Sequence, residues 1–193
     1  MKRAIDIVLL PPKNIIDFVV DINAKARKNN TTSVKLSTND RIPHLTLLMG
    51  VLDDKNFDEV EKRLSIIAKK YAPLTLHFDT IDRQSFYTKN NGLVRKLHEE
   101  LIKEINPLLT HDAQKKEYAE PIDYPFVEEH NHWVNEFVNV YSHDNFEPHI
   151  TFHSPETTIS QFPFTTTLER FAMCHLGVRN TCRTILAEHT LII

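Results

Sequence analysis

The sequence predicts an α+β fold with antiparallel sheets, on three observations. Strand-like and helix-like segments follow one another without the regular alternation that a doubly wound parallel sheet needs. The last two strand-like segments, roughly 168–176 and 183–192, are neighbours in the chain and read as a closing hairpin. Only three glycines are present, Gly50, Gly92 and Gly177, each far from the others. Dinucleotide fingerprints and P-loops need several glycines within a few residues, so neither can form. If the protein handles phosphate, side chains must hold it.

The elements can be justified in order. Ile5, Ile7 and Leu9 alternate with Asp6 and Val8 as a short buried strand that stops at Pro11-Pro12. From Asn14 to about Arg27, Ile15, Phe18, Val19 and Ile22 recur at helical spacing. Residues 28–40 are polar and turn-rich, a loop with room for a short strand around Val34 to Leu36. His44 to Val51 is strand-like. Asn56 and Glu59 have capping-box spacing and open a helix striped by Val60, Leu64, Ile67, Ala68 and Tyr71, which Pro73 ends. Leu74, Leu76 and Phe78 alternate as a strand. Leu93, Leu97, Leu101 and Ile105 mark a helix over 92–106, closed by Pro107. Residues 110–131 lack periodicity, which suits a lid or an inserted binding loop. Trp133, Phe137, Val140 and Tyr141 mark a short helix, and Pro148 to His153 a strand before the hairpin.

Composition bounds the function. With 193 residues, 41% hydrophobic and 25% charged, the chain can bury a real core. Lys plus Arg number 23 against 26 Asp plus Glu, a net charge of -3. Coating long nucleic acid needs a basic excess, because phosphate neutralisation supplies most of that affinity. Any nucleic-acid partner should therefore be an end or a small nucleotide. Asp6 and Pro11-Pro12 break the first apolar stretch before it could serve as a secretion signal, and no apolar run approaches a membrane span, so a cytoplasmic location is expected. Cys174 and Cys182 can lie across from each other on the closing hairpin but lack metal spacing, and are expected as buried reduced thiols.

One short element occurs twice: Pro43-His44-Leu45-Thr46-Leu47 and Pro148-His149-Ile150-Thr151-Phe152. Two such matches, both preceded by proline, should arise in on the order of one shuffled chain in a thousand or fewer, so the repeat is a signal. On a strand, residues i and i+2 share a face. Each His therefore sits beside its Thr, with Leu45, Leu47, Ile150 and Phe152 packed behind. Two such strands across a cleft place two acid/base groups and two hydroxyl donors around one small anion. One neutral His can take a proton from water while the other, as imidazolium, gives one to the leaving oxygen. The Thr hydroxyls would stabilise charge on the non-bridging oxygens.

The pair resembles the two H-x-T-x motifs of the 2H phosphoesterase superfamily, which includes RNA 2′,3′-cyclic phosphodiesterases and 2′-5′ RNA ligase-like proteins. His44 and Thr46 match the first motif, His149 and Thr151 the second. The resemblance implies a bilobal α+β fold over 1–193, two antiparallel sheets with outer helices, related by pseudo-twofold symmetry around a central cleft. The 110–131 stretch would be an insertion lengthening the spacing between motifs. It also implies opening of a 2′,3′-cyclic phosphate, or cleavage of a 2′-5′ linkage, without a cofactor, and a 2′-phosphomonoester product. By the same analogy His149 is the base and His44 the acid. The expected partner is a nucleotide or an RNA terminus with a cyclic phosphate, with no membrane and no obligate protein partner, the chain acting as a monomer.

Around this quartet, Arg41 lies close enough in sequence to contact phosphate, and His153 would extend the His149 face on an unbroken strand. Tyr87, Phe86, Tyr124 and Phe126 are candidates to stack on a base, Tyr124 and Phe126 alternatively anchoring their loop to the core. Lys25, Arg27 and Lys28 are read as a solvated helix end rather than an RNA contact. Two alternatives stay open: a non-catalytic nucleotide-binding module, and a metal-dependent hydrolase built on Glu128, Glu129, His130, His132 and His143. The spacing of that second cluster matches no recognised zinc site, so no metal is expected.

Overall fold

A computed structural model describes residues 1–29, 34–88, 92–119, 125–155 and 159–192. The strands are β1 (Lys2–Leu10), β2 (Leu45–Asp53), β3 (Leu74–Asp82), β4 (Ser85–Thr88), β5 (Leu109–Thr110), β6 (His149–Thr151), β7 (Phe164–Leu168), β8 (Arg170–Gly177) and β9 (Thr181–Thr190). The helices are α1 (Lys13–Lys28), α2 (Phe57–Ala68), α3 (Gly92–Glu104), α4 (Glu128–Asn135) and α5 (Phe137–Val140). The architecture is α+β, with two antiparallel sheets ordered β5-β2-β1-β8-β9 and β6-β4-β3-β7.

Apolar alternation builds the larger sheet's core face. Ile5, Ile7 and Leu9 of β1 are fully buried with Leu45 and Leu47 of β2 and Phe171 and Met173 of β8. The amphipathic stripes of α2 and α3 join the same core through Leu64, Ile67, Leu97 and Leu101. Under the smaller sheet, Phe86 packs on Phe152 at 4.5 Å, with Phe18, Phe162 and Phe164 around it. Phe86, expected as a stacking candidate, is thus a core residue with no exposed surface.

Three strands escape the sequence pattern. β5 and β4 are two and four residues long, too short for period-two alternation to register. β7 reads Phe-Thr-Thr-Thr-Leu and is defined by its pairing with β3. Conversely, Val34 and Leu36 are buried but form no strand. The side chain of Asn23 on α1 supplies the bonds a strand partner would. Its Nδ2 donates to the carbonyls of Val34 at 3.1 Å and Phe152 at 3.3 Å, and Leu36 N–H donates to its Oδ1 at 3.0 Å. One buried amide thereby ties α1 to the segment leading to His44 and to the residue after Thr151. Asn23→Ala should cost roughly 2–4 kcal/mol of stability by orphaning buried backbone groups, read as a lower denaturant midpoint at unchanged m-value. A loss below about 0.5 kcal/mol would show those groups are satisfied otherwise.

The cysteine expectation is corrected. Cys174 and Cys182 form a disulfide, with Cα atoms 5.5 Å apart. Register shifts in the β8–β9 hairpin bring both sulfurs into one small apolar cluster with Val8, Leu10, Ile16, Ile42 and Ala172. Ile42 is held there by its N–H, which donates to the Cys182 carbonyl at 3.0 Å. Among the described residues, no helix is long and apolar enough to cross a membrane.

Candidate active site

His44 immediately precedes β2 in the larger sheet, and His149 opens β6 at the edge of the smaller one. The repeated sequence folds into a repeated local geometry. His44 Nδ1 donates to the Ile42 carbonyl at 2.7 Å, and His149 Nδ1 donates to the Glu147 carbonyl at 2.7 Å. In both cases the acceptor lies two residues upstream, across the proline. A carbonyl only accepts, so each Nδ1 carries a hydrogen and each Nε2 is left as the nitrogen whose protonation can change. The apolar partners Leu45, Leu47, Ile150 and Phe152 are fully buried behind. His44, Thr46, His149 and Thr151 all line one cavity of about 390 Å³ between the two sheets.

The side chains behind the quartet differ between the two halves. Thr151 faces Ser85 on β4, its register partner, with the two hydroxyls 3.0 Å apart. Thr46 instead donates to Asp6 Oδ2 at 2.7 Å, and His44 Nε2 lies 3.3 Å from the same oxygen. Asp6 is fully buried in the middle of β1, and its Oδ1 has no partner among the described residues. Leaving a buried carboxylate oxygen unmatched is costly, which points to a use for the group.

Electrostatics follow from these partners. Burial raises the Asp6 carboxyl above its ordinary range, opposed by the bonds from His44 and Thr46. Burial alone would lower His44, but the Asp6 carboxylate overrides it and raises the imidazole. Among the described residues His149 has no carboxylate in hydrogen-bond reach; burial lowers it, and the charge of His44 adds to that, over the opposing pull of the Glu147 carbonyl and charge. The two imidazoles are pushed apart, which is the arrangement an acid and a base sharing a site require.

Of the other predicted contacts, Arg41, Tyr87 and His153 line the cavity. The Tyr87 ring is stacked on His149 at 5.0 Å, with the Arg83 guanidinium 5.8 Å from its centroid, and so braces the histidine from the cavity lining. β6 ends at Thr151, and His153 turns into the left-handed region at φ 51° instead of extending the strand. Burial, with Arg179 and His44 nearby, pushes His153 down to about 4, so it faces the cavity neutral at physiological pH. Tyr124 lies outside the described residues. Phe126 takes the anchoring alternative: it is not among the residues lining the cavity and packs edge-on to Tyr118 at 5.3 Å and His130 at 5.6 Å. The apolar ring gains more from that core edge than from water.

The alternative metal cluster is pulled apart. His130 packs against Phe126, His143 pairs with Glu99 at 2.9 Å, and His132 lies against the Tyr141 ring. Among the described residues, no three His, Cys, Asp or Glu side chains converge as a ligand set.

The glycine scarcity has a structural counterpart at the cleft. Arg41, Arg83, Gln84, His153, Arg179 and Asn180 all have positive φ and all line the cavity. Each costs roughly 1–2 kcal/mol that glycine would avoid, and such strain gathers at functional sites. The turns around this cleft carry guanidinium, amide and imidazole groups where glycine would leave bare backbone. Sequence reasoning missed most of these, since no local pattern marks a left-handed arginine. Asp6 did carry a signal: it is the one charged residue inside the Ile5–Leu9 apolar run.

No protein-family model matches the chain, and no curated protein sequence matches it. Solved structures do. TT0787 of Thermus thermophilus superposes with a TM-score of 0.59 at 16% identity, covering 97% of each chain. E. coli LigT complexed with 3′-AMP gives a TM-score of 0.56 at 16% identity over 100% of both chains. LigT complexed with ATP gives 0.57 at 17% identity, again over 100% of both. Two antiparallel sheets flanked by helices, matched from end to end, give this chain a LigT-like α+β fold.

Proposed function

We propose that the chain is a metal-independent phosphodiesterase acting on a 2′,3′-cyclic phosphate of a nucleotide or RNA end, or on a 2′-5′ linkage. The observation that carries this reading is the duplicated His–Thr geometry in one cavity with the two imidazoles shifted in opposite directions. The nucleotide complexes of LigT, with 3′-AMP and ATP, support a nucleotide as the ligand class. In this reading the chain is one domain of two lobes, each contributing one motif.

The partner asymmetry supports one division of the roles. His149, lowered and holding its hydrogen on Nδ1, has a lone pair on Nε2 and takes a proton from the attacking water. Oxygen adds to phosphorus as the bond to the 3′-oxygen breaks. His44, held as imidazolium by Asp6, delivers its Nε2 proton to that oxygen, leaving a 2′-phosphomonoester. The opposite assignment would need a protonated His149 beside a neutral His44, against both shifts. Thr46 and Thr151 hydroxyls serve the non-bridging oxygens. For Thr46 and His44 this means exchanging Asp6 Oδ2 for a substrate oxygen, so Asp6 occupies the donors until phosphate arrives.

Activity requires neutral His149, present above a pKa that lies below 6.5, and charged His44, present below a pKa that lies above 6.5. The expected kcat profile is a bell with its plateau around neutrality, lost on the acid side through His149 and on the alkaline side through His44. Incubation with 2′,3′-cyclic nucleotides and cyclic-ended RNA in EDTA tests the reading, with chromatography naming the monoester. Metal-independent opening to the 2′-phosphate is expected. Turnover abolished by the chelator would indicate a metal-dependent hydrolase. Nucleotide binding without turnover would indicate a binding module.

A further inference from the structure

The segment between β5 and β6 places aromatic side chains on the same cavity. Trp133 on α4 is the chain's single tryptophan, and it is 45% exposed. One indole face lies flat on Tyr141, with centroids 4.1 Å apart and planes 22° from parallel. That stack fixes the ring, and Trp133 and Tyr141 both line the cavity that holds the His–Thr quartet. The other aromatic rings on the cavity are committed. Tyr87 is stacked on His149 with Arg83 near its ring, Phe146 is buried and stacked on His98 at 3.9 Å, and Phe137 is buried. Among the described residues lining the cavity, Trp133 is the aromatic ring left largely exposed.

A volume of about 390 Å³ exceeds what a phosphate and its ribose carbons occupy, and lies within the range of small-molecule sites. The histidine, threonine and arginine side chains on the cavity lining suit the anion, and the aromatic side chains Trp133, Phe137, Tyr141 and Phe146 on the same lining suit a flat, apolar-faced group. Base–aromatic stacking is tolerant of sequence and grows with overlap.

We propose that Trp133 is a stacking platform for the nucleobase of the bound nucleotide, holding purines more tightly than pyrimidines. The inference rests on the nucleotide reading of the cleft and names which part of the ligand these aromatic side chains take. It concerns binding, so it can be tested without turnover.

The single tryptophan is its own probe. Adenosine 2′-phosphate, cytidine 2′-phosphate, ribose 5-phosphate and inorganic phosphate would each be titrated against intrinsic fluorescence, with affinities from calorimetry. Adenosine 2′-phosphate should quench strongly, cytidine 2′-phosphate less, and ribose 5-phosphate and phosphate hardly at all. Trp133→Ala should weaken adenosine 2′-phosphate about 5- to 150-fold while leaving ribose 5-phosphate unchanged, which also controls for folding. Trp133→Phe should restore part of the loss. Equal binding of nucleotide and sugar phosphate, or unchanged nucleotide affinity in Trp133→Ala, would overturn the platform. So would no quenching at millimolar adenosine 2′-phosphate, whatever the turnover assay gives. Quenching without turnover would instead leave the platform standing and remove the hydrolase reading.

Discussion

Alanine at His149 or at His44 should each slow opening of a 2′,3′-cyclic nucleotide by about 10²- to 10⁴-fold, the usual contribution of a positioned acid or base. The effect should fall on kcat, since neither imidazole is the main source of binding. The double variant should be scarcely slower than the slower single one, because removing the base leaves the acid nothing to complete. Both side chains sit at strand ends and are partly exposed, so the fold should survive, which thermal unfolding would verify. Single-turnover rates with 2′,3′-cyclic AMP make the comparison. Retention of more than about a tenth of wild-type rate in either variant would contradict a role in proton transfer.

Asp6→Asn should slow kcat on the alkaline side of the profile by on the order of 10- to 100-fold, with little change on the acid side. The sign follows from the pair. Asp6 raises His44, so removing its charge lowers the imidazole and empties the imidazolium form as pH rises past neutrality. Asparagine still accepts from Thr46, so the hydroxyl keeps its anchor. KM should stay level or fall, because the group removed is a negative charge that competes with phosphate for His44 and Thr46. A merely structural role would instead lower stability and shift the whole profile down at every pH. An unmoved alkaline limb would show that Asp6 does not set the state of His44.

Much of this is legible in the sequence. The duplicated Pro-His-x-Thr pattern locates the four side chains, because strand periodicity fixes which residues share a face whatever surrounds them. The apolar stripes of α1, α2 and α3 are legible for the same reason. Partners across the sheet are not. That Thr46 meets Asp6 while Thr151 meets Ser85 depends on β1–β2 and β4–β6 register, including a bulge between Ile7 and Val8, which no local pattern reports. Trp133 reads in the sequence as a helix marker, since an aromatic at helical spacing is usually core; only the packing of α4 shows it turned to the cavity. Phe126 goes the other way, its place decided by contact with Tyr118 and His130. The left-handed arginines reflect tertiary constraint overriding backbone preference.

The central claim is that two equivalent histidines hold opposite protonation states because, among the described residues, only His44 has a carboxylate within hydrogen-bond reach. Titrating both imidazoles by NMR, with His44→Gln and His149→Gln to assign the signals, tests it most directly. His44 should titrate above the ordinary value of about 6.5 and His149 below it, with Asp6→Asn closing the gap from the His44 side. Coincident titrations, or the reverse order, would contradict the account.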